Sequence, residues 1–139
     1  MANPIGWFAK FFKYNAMTPI RYAHKPDEVG ISCSGSYILI CSEDYLSDKN
    51  WGLKILSSRP LSVVFIGGHA ELAHDQFDEM VVDGGSPLIL TMWFNDNFEG
   101  IDELFSVYAN TMDLGAEVVI IDPTMKLDKM IKKCLNECM

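Results

Sequence analysis

Acidic, imidazole and amide side chains recur in this sequence directly after apolar runs, where they could gather a cation or a small ligand. Ser42, Glu43 and Asp44 follow residues 37–41, and Gly67, Gly68 and His69 follow residues 61–66. Asn95, Asp96 and Asn97 follow residues 87–94, and Asp122 and Thr124 follow residues 117–121. Carboxylate oxygens suit magnesium, calcium and manganese, while imidazole suits zinc and other transition metals. Glu43, Asp44, His69 and Asp96, with Asp122 beside them and His74 as a further donor, are therefore the candidate ligands of a divalent metal in a metal-dependent enzyme. The plainer account is that Asn97 and Asp122 cap helices and the others occupy solvated loops, which favour the same residue types.

Other chemistries fit less well. Gly67-Gly68-His69 has neither the spaced glycines of a dinucleotide fingerprint nor the Lys-Ser/Thr of a P-loop, and Glu71 after it would repel phosphate. Two adjacent glycines there mark a tight turn or a close approach of backbone to a neighbour. His74 and Asp78 are four residues apart and share one helical face, but the zincin spacing of His-Glu-x-x-His is absent. Cys41 falls at a strand end, where a nucleophile could lie, yet its acidic neighbours disfavour a thiolate. Cys33, Cys41, Cys134 and Cys138 are expected as free, mostly buried thiols, because a chain of 139 residues needs no disulfide staples.

The charge is unevenly distributed. Residues 61–122 contain twelve Asp or Glu and no Lys or Arg, within a chain of net charge −8. That block cannot form internal Lys/Arg salt bridges, so its charge faces water, a cation or a basic partner. It excludes a nucleic-acid backbone as ligand of the same face, since such sites need clustered Lys or Arg. Glu71, Asp75, Asp78, Glu79, Asp96, Glu99, Asp102 and Glu103 make up the expected acidic binding face.

These residues must be held by strands and helices whose signatures are legible. Residues 37–41 and 61–66 are continuous apolar runs, as buried parallel strands are, and residues 87–94 and 117–121 are two more. Between them, residues 70–82 turn Ala73, Phe77, Met80 and Val81 to one face. Asn97 is placed to cap a helix over 98–112 with Ile101, Leu104, Phe105, Tyr108 and Met112 inward. Asp122-Pro123 marks the start of a last helix to about Glu137, and residues 48–57 form a weaker candidate. Strands alternating with helices imply a three-layer α/β/α domain spanning 1–139, with a short, mainly parallel sheet of about four strands. The βα units occupy 36–139, and residues 1–35 supply an aromatic helix over 1–14 and a connection.

That first stretch, with Trp7, Phe8, Phe11 and Phe12 around Lys10 and Lys13, packs on the domain's own core, serves as a membrane-surface or partner-docking anchor, or acts as an arm for self-association. No apolar run reaches the roughly 20 residues that span a bilayer, and no signal peptide is recognisable, so a cytoplasmic location is expected.

The stretch Gly68-x-x-Glu71-x-x-His74-Asp75-x-x-Asp78-Glu79, followed by Thr91-x-Trp93, resembles an uncharacterised bacterial domain-of-unknown-function family over residues 60–110. In that family a histidine follows the tryptophan, where this chain has Phe94. The resemblance implies an α/β domain and no activity. Taken together, the residues point to a small acidic, non-enzymatic binding protein, of the immunity-protein or regulator kind, that engages a basic protein and needs no cofactor. The metal-dependent enzyme is the alternative.

Overall fold

The computed structural model describes residues 20–23, 26, 36–48, 50–84, 89–110 and 117–137. Five strands, β1 (Ile20–Ala23), β2 (Tyr37–Cys41), β3 (Ser62–Ile66), β4 (Leu90–Phe94) and β5 (Val118–Ile121), form one sheet in the order β1-β5-β2-β3-β4. Every pairing is parallel. Among the described residues five helices accompany them: α1 (Ser42–Ser47), α2 (Trp51–Ser57), α3 (Ala70–Asp83), α4 (Asn97–Asn110) and α5 (Asp128–Glu137).

The period-two alternation of a strand sends successive side chains to opposite faces, and both faces of the central strands are covered. Leu39, Val64, Ile66, Val118 and Ile120 pack with Ile101 and Leu104 of α4 and Ile131 of α5. Ile38, Ile40, Val63, Phe65, Val119 and Ile121 pack with Tyr45 of α1, Trp51 and Ile55 of α2, and Ala73, Phe77 and Val81 of α3. Burying one such Val, Ile, Leu or Phe side chain contributes about 1.5–3 kcal/mol, and this explains why continuous apolar runs form the strands. On the α3 side, Tyr45, Phe65 and Phe77 meet at ring-centroid separations of 5.0 to 6.4 Å, two of the three contacts edge-on.

The α/β architecture is the expected one, with one more strand than the four anticipated. The addition is β1, within the stretch expected to be a connection. Four residues with an arginine among them give no apolar run, and β1 owes its form to pairing with β5 and to the Arg21–Glu117 ion pair at 3.1 Å. Three helix boundaries also differ from expectation. Ser42-Glu43-Asp44 begins a short helix instead of a loop. α4 is capped by Asp96, whose Oδ1 accepts the Glu99 N–H at 2.9 Å, one residue before the expected Asn97. The last helix starts at Asp128, six residues beyond Asp122, because Met125 takes a left-handed φ of 56° that interrupts the helical path. No helix among the described residues is long and apolar enough to cross a membrane. The expected aromatic helix over 1–14 and Cys33 lie outside the described residues, as do the side chains of Phe105, Tyr108 and Cys134.

Candidate functional site

The chain leaves β2 for α1 on one face of the sheet and leaves the neighbouring β5 for α5 on the other. Where adjacent parallel strands send their connections to opposite faces, a crevice opens beyond their carboxyl ends, and ligands of such sheets bind there. The residues bordering this crevice are Cys41 and Asp44 from the end of β2 and Asp122 and Lys126 from the end of β5.

Three interactions fix the floor. Asp122 is fully buried, and its Oδ2 accepts the Leu127 N–H at 2.8 Å, closing the turn through Pro123 and Met125. Ser42 Oγ accepts the His69 N–H at 3.2 Å, and Glu43 Oε1 accepts the Gly68 N–H at 3.1 Å. The first turn of α1 thus clamps the loop between β3 and α3. Gly67 makes the clamp possible: its φ of 117° suits glycine, and a Cβ there would lie 2.8 Å from Glu43 Oε2 and from Ser42 Oγ. The paired glycines are thus a close backbone approach and a turn, as their sequence suggests.

Within the crevice, Cys41 Sγ, one carboxylate oxygen of Asp44 and one of Asp122 all lie within 4.8 Å of one another. Lys126 Nζ stands 3.5 Å from Asp44 Oδ2, an ion pair longer than a hydrogen bond. Burial pushes the Cys41 thiol up to about 12. The Lys126 charge opposes that rise, and Asp44, Asp122 and Glu43 add to it. At neutral pH Cys41 is therefore a neutral thiol rather than a nucleophile. Burial by itself would lower the Lys126 ammonium, but Cys41, Asp44 and Glu43 outweigh it and hold it above the ordinary lysine value. Beside the cluster an open depression of about 520 Å³ is lined by Glu43, Gly67, Gly68, Asn95, Asp96 and Lys126, among others.

Of the six residues expected as metal ligands, Asp44 and Asp122 join a cluster of ligand atoms among the described residues. Glu43 borders the depression but is turned to the Gly68 N–H, and Asp96 caps α4. His69 is exposed at the start of α3. His74 faces carboxylates with both ring nitrogens, Nδ1 to Asp75 at 2.9 Å and Nε2 to Asp78 at 3.2 Å. Both ring nitrogens are thus taken up by carboxylates of α3 itself. Asp78 in turn accepts from Thr91 Oγ1 at 2.6 Å, so His74 and Asp78 pin α3 to β4. In the sequence Cys41 reads as a possible nucleophile and Asp122 as a metal ligand or a cap, and Lys126 carries no signal for the site. The only sequence signal for their convergence is that β2 and β5 both end in polar residues, and strand order was needed to make those strands neighbours.

The acidic block divides into two surfaces. Glu71, Asp75 and Glu79 are exposed on α3 and Asp78 is half-buried there, whereas Glu99, Asp102 and Glu103 are exposed on α4, with Asp96 at its cap. The two helices cover opposite faces of the sheet, so the single acidic face expected from the sequence becomes two, separated by β4. β4 is an edge strand, and Leu90 and Trp93 are 54% and 36% exposed on it. The Leu90 N–H donates to Leu61 and the Phe94 carbonyl accepts from Gly67. By strand alternation the backbone groups of Thr91 and Trp93 therefore point away from β3, and no described residue pairs with them.

No family model, curated protein or solved structure matches this chain.

Proposed function

We propose that this is a binding protein without catalytic activity of its own, acting in the cytoplasm, which receives a Lys/Arg-rich extended segment of a protein partner along the free edge of β4. The observation that carries this reading is a parallel edge strand that no described residue pairs along its outer side, with exposed Leu90 and Trp93, lying between two acidic helices. Residues 60–125 contain no Lys or Arg at all. Edge strands of soluble proteins are usually guarded by lysines, prolines or bulges, because an unpaired row of N–H and C=O groups templates another strand. Here the guards are negative charges on both flanks, which repel a second acidic edge and attract a basic strand. Main-chain bonds to Thr91 and Trp93 would supply affinity, and Glu71, Glu79, Glu99 and Glu103 would select the charge of the arriving segment.

The test uses a peptide alternating lysine with valine, an acidic counterpart alternating glutamate with valine, and the fluorescence of the three tryptophans. The basic peptide should bind and lose about tenfold or more in affinity between 50 and 500 mM salt, because surface charges are screened within about 8 Å at physiological ionic strength and less above it. Trp93→Lys, which places a like charge on the edge, should abolish binding. Equal binding of the acidic peptide, or affinity unchanged by salt, would refute the reading. So would self-association through β4 in preference to peptide binding.

A further inference from the structure

The crevice between β2 and β5 contains an arrangement that basic-partner docking does not use. Asp122 is completely buried, and while its Oδ2 is satisfied by Leu127, its Oδ1 has no hydrogen-bond partner. Asp44 Oδ2 is likewise buried and unbonded, with only the Lys126 ammonium at 3.5 Å. Buried polar atoms in native proteins are nearly always bonded, and an orphaned carboxylate oxygen beside another carboxylate calls for an explanation. Desolvated carboxylates are retained where they are paired or coordinate a cation.

We propose that Asp122 and Asp44, with Cys41 Sγ as third ligand, form a binding site for a divalent transition-metal cation of the zinc class at the carboxyl ends of β2 and β5. Two oxygens and one sulfur form a mixed donor set that suits a borderline-soft ion better than magnesium or calcium. Ligand atoms on one tetrahedral ion of this class are about 3.4–3.6 Å apart, so the present separations, all within 4.8 Å, close by roughly 1 Å at most as the ion draws the three side chains in. A fourth position opens toward the depression bordered by Glu43, Gly68 and Lys126, where water completes the coordination. Cys41 gives its thiol proton to solvent as the metal–sulfur bond forms. Lys126 stands in for the cation until it arrives: its ammonium balances Asp44, and the ion displaces it into solvent. The Leu127 N–H acts as the outer support that holds Asp122 in its ligating orientation.

The test titrates the whole chain, first stripped with a chelator, with zinc by calorimetry and with cobalt(II) by absorbance. One ion per chain should bind, and cobalt should give a sulfur-to-metal charge-transfer band in the near ultraviolet that Cys41→Ser removes. Asp44→Asn, at a partly exposed side chain where folding is readily retained, should weaken zinc by at least about tenfold. Lys126→Met should tighten it by at least about threefold, since a competing charge is gone. The tightening by Lys126→Met separates this site from zinc held loosely by surface carboxylates or other thiols. Absence of uptake at sub-millimolar zinc, undiminished uptake by Asp44→Asn, no gain in Lys126→Met, or preference for magnesium without the sulfur band would each overturn the proposal.

Discussion

Replacing Gly67 by alanine should destabilise the protein far more than the same change at its neighbour, and the structure gives the size of the difference. At φ 117° an alanine is strained, at a cost on the order of 1–3 kcal/mol. Its Cβ would also lie 2.8 Å from both Glu43 Oε2 and Ser42 Oγ, so both side chains must move. They are the acceptors for the Gly68 and His69 N–H groups, and losing those bonds adds about 1 kcal/mol for the hydroxyl and somewhat more for the carboxylate, less screening by water. The total is about 2–5 kcal/mol. Gly68→Ala, by contrast, brings its Cβ no closer than 3.7 Å to Glu43 Oε1 and requires no positive φ, so it should change stability by less than about 0.5 kcal/mol. Urea denaturation of the two variants, followed by tryptophan fluorescence, compares them directly. With about 2.1 cal/mol/K per residue of unfolding entropy, 3 kcal/mol in a chain of this length corresponds to a fall of about 10 °C in Tm. Equal midpoints for the two variants would refute the claim that Gly67 is the residue on which the α1 clamp depends.

Gly100→Ala should also destabilise, by about 1–3 kcal/mol in urea titration, although alanine is the better helix former, because its Cβ would run into the Ile66 side chain under α4. Phe77→Ala should cost about 3–5 kcal/mol in the same assay, since it empties the site where Tyr45 and Phe65 meet beneath α3. Stability should fall steeply in alkali. Burial raises Tyr45 and Cys41 to about 12, and burial followed by the charge and hydrogen bond of Asp128 raises Tyr22 to about 12. The neutral forms are thus favoured in the folded state, and their contribution is complete below pH 9–10 and is lost as pH rises to 12. Each group lowers stability by up to about 1.4 kcal/mol per pH unit in that window, and a flat stability curve between pH 9 and 12 would contradict the burial of all three.

Much of the framework was legible because parallel strands buried on both faces are written as continuous apolar runs. β2, β3 and β5 announce themselves in this way, and the Ala73, Phe77 and Val81 stripe does the same for α3. What escaped has particular causes. β1 has only Ile20-Arg21-Tyr22-Ala23 and is defined by a partner near the other end of the chain. Asp122-Pro123 carries a strong local helix-start signal, yet Asp122 spends its carboxylate on Leu127 five residues ahead, and the left-handed Met125 delays the helix. The site followed the same division. That strand ends would carry the polar groups was readable from the runs themselves. Which ends are neighbours depends on strand order, and a linear reading that treats Glu43, His69 and Asp96 as equals cannot see that β5 inserts beside β2.

That insertion also orders events in time. β2, β3 and β4 are contiguous in the sequence and neighbours in the sheet, so they can pair as soon as they exist. β5 must cross back over them to reach β2, and β1 waits for it, since register joins residue 20 to residue 118. Closing so long a loop is slow relative to local pairing. Synthesis from the N-terminus therefore makes β2, β3 and β4 available for pairing before β5 can bring Asp122 into place. The β4 edge is built by strands contiguous in the sequence, whereas the buried crevice needs a chain completed through β5.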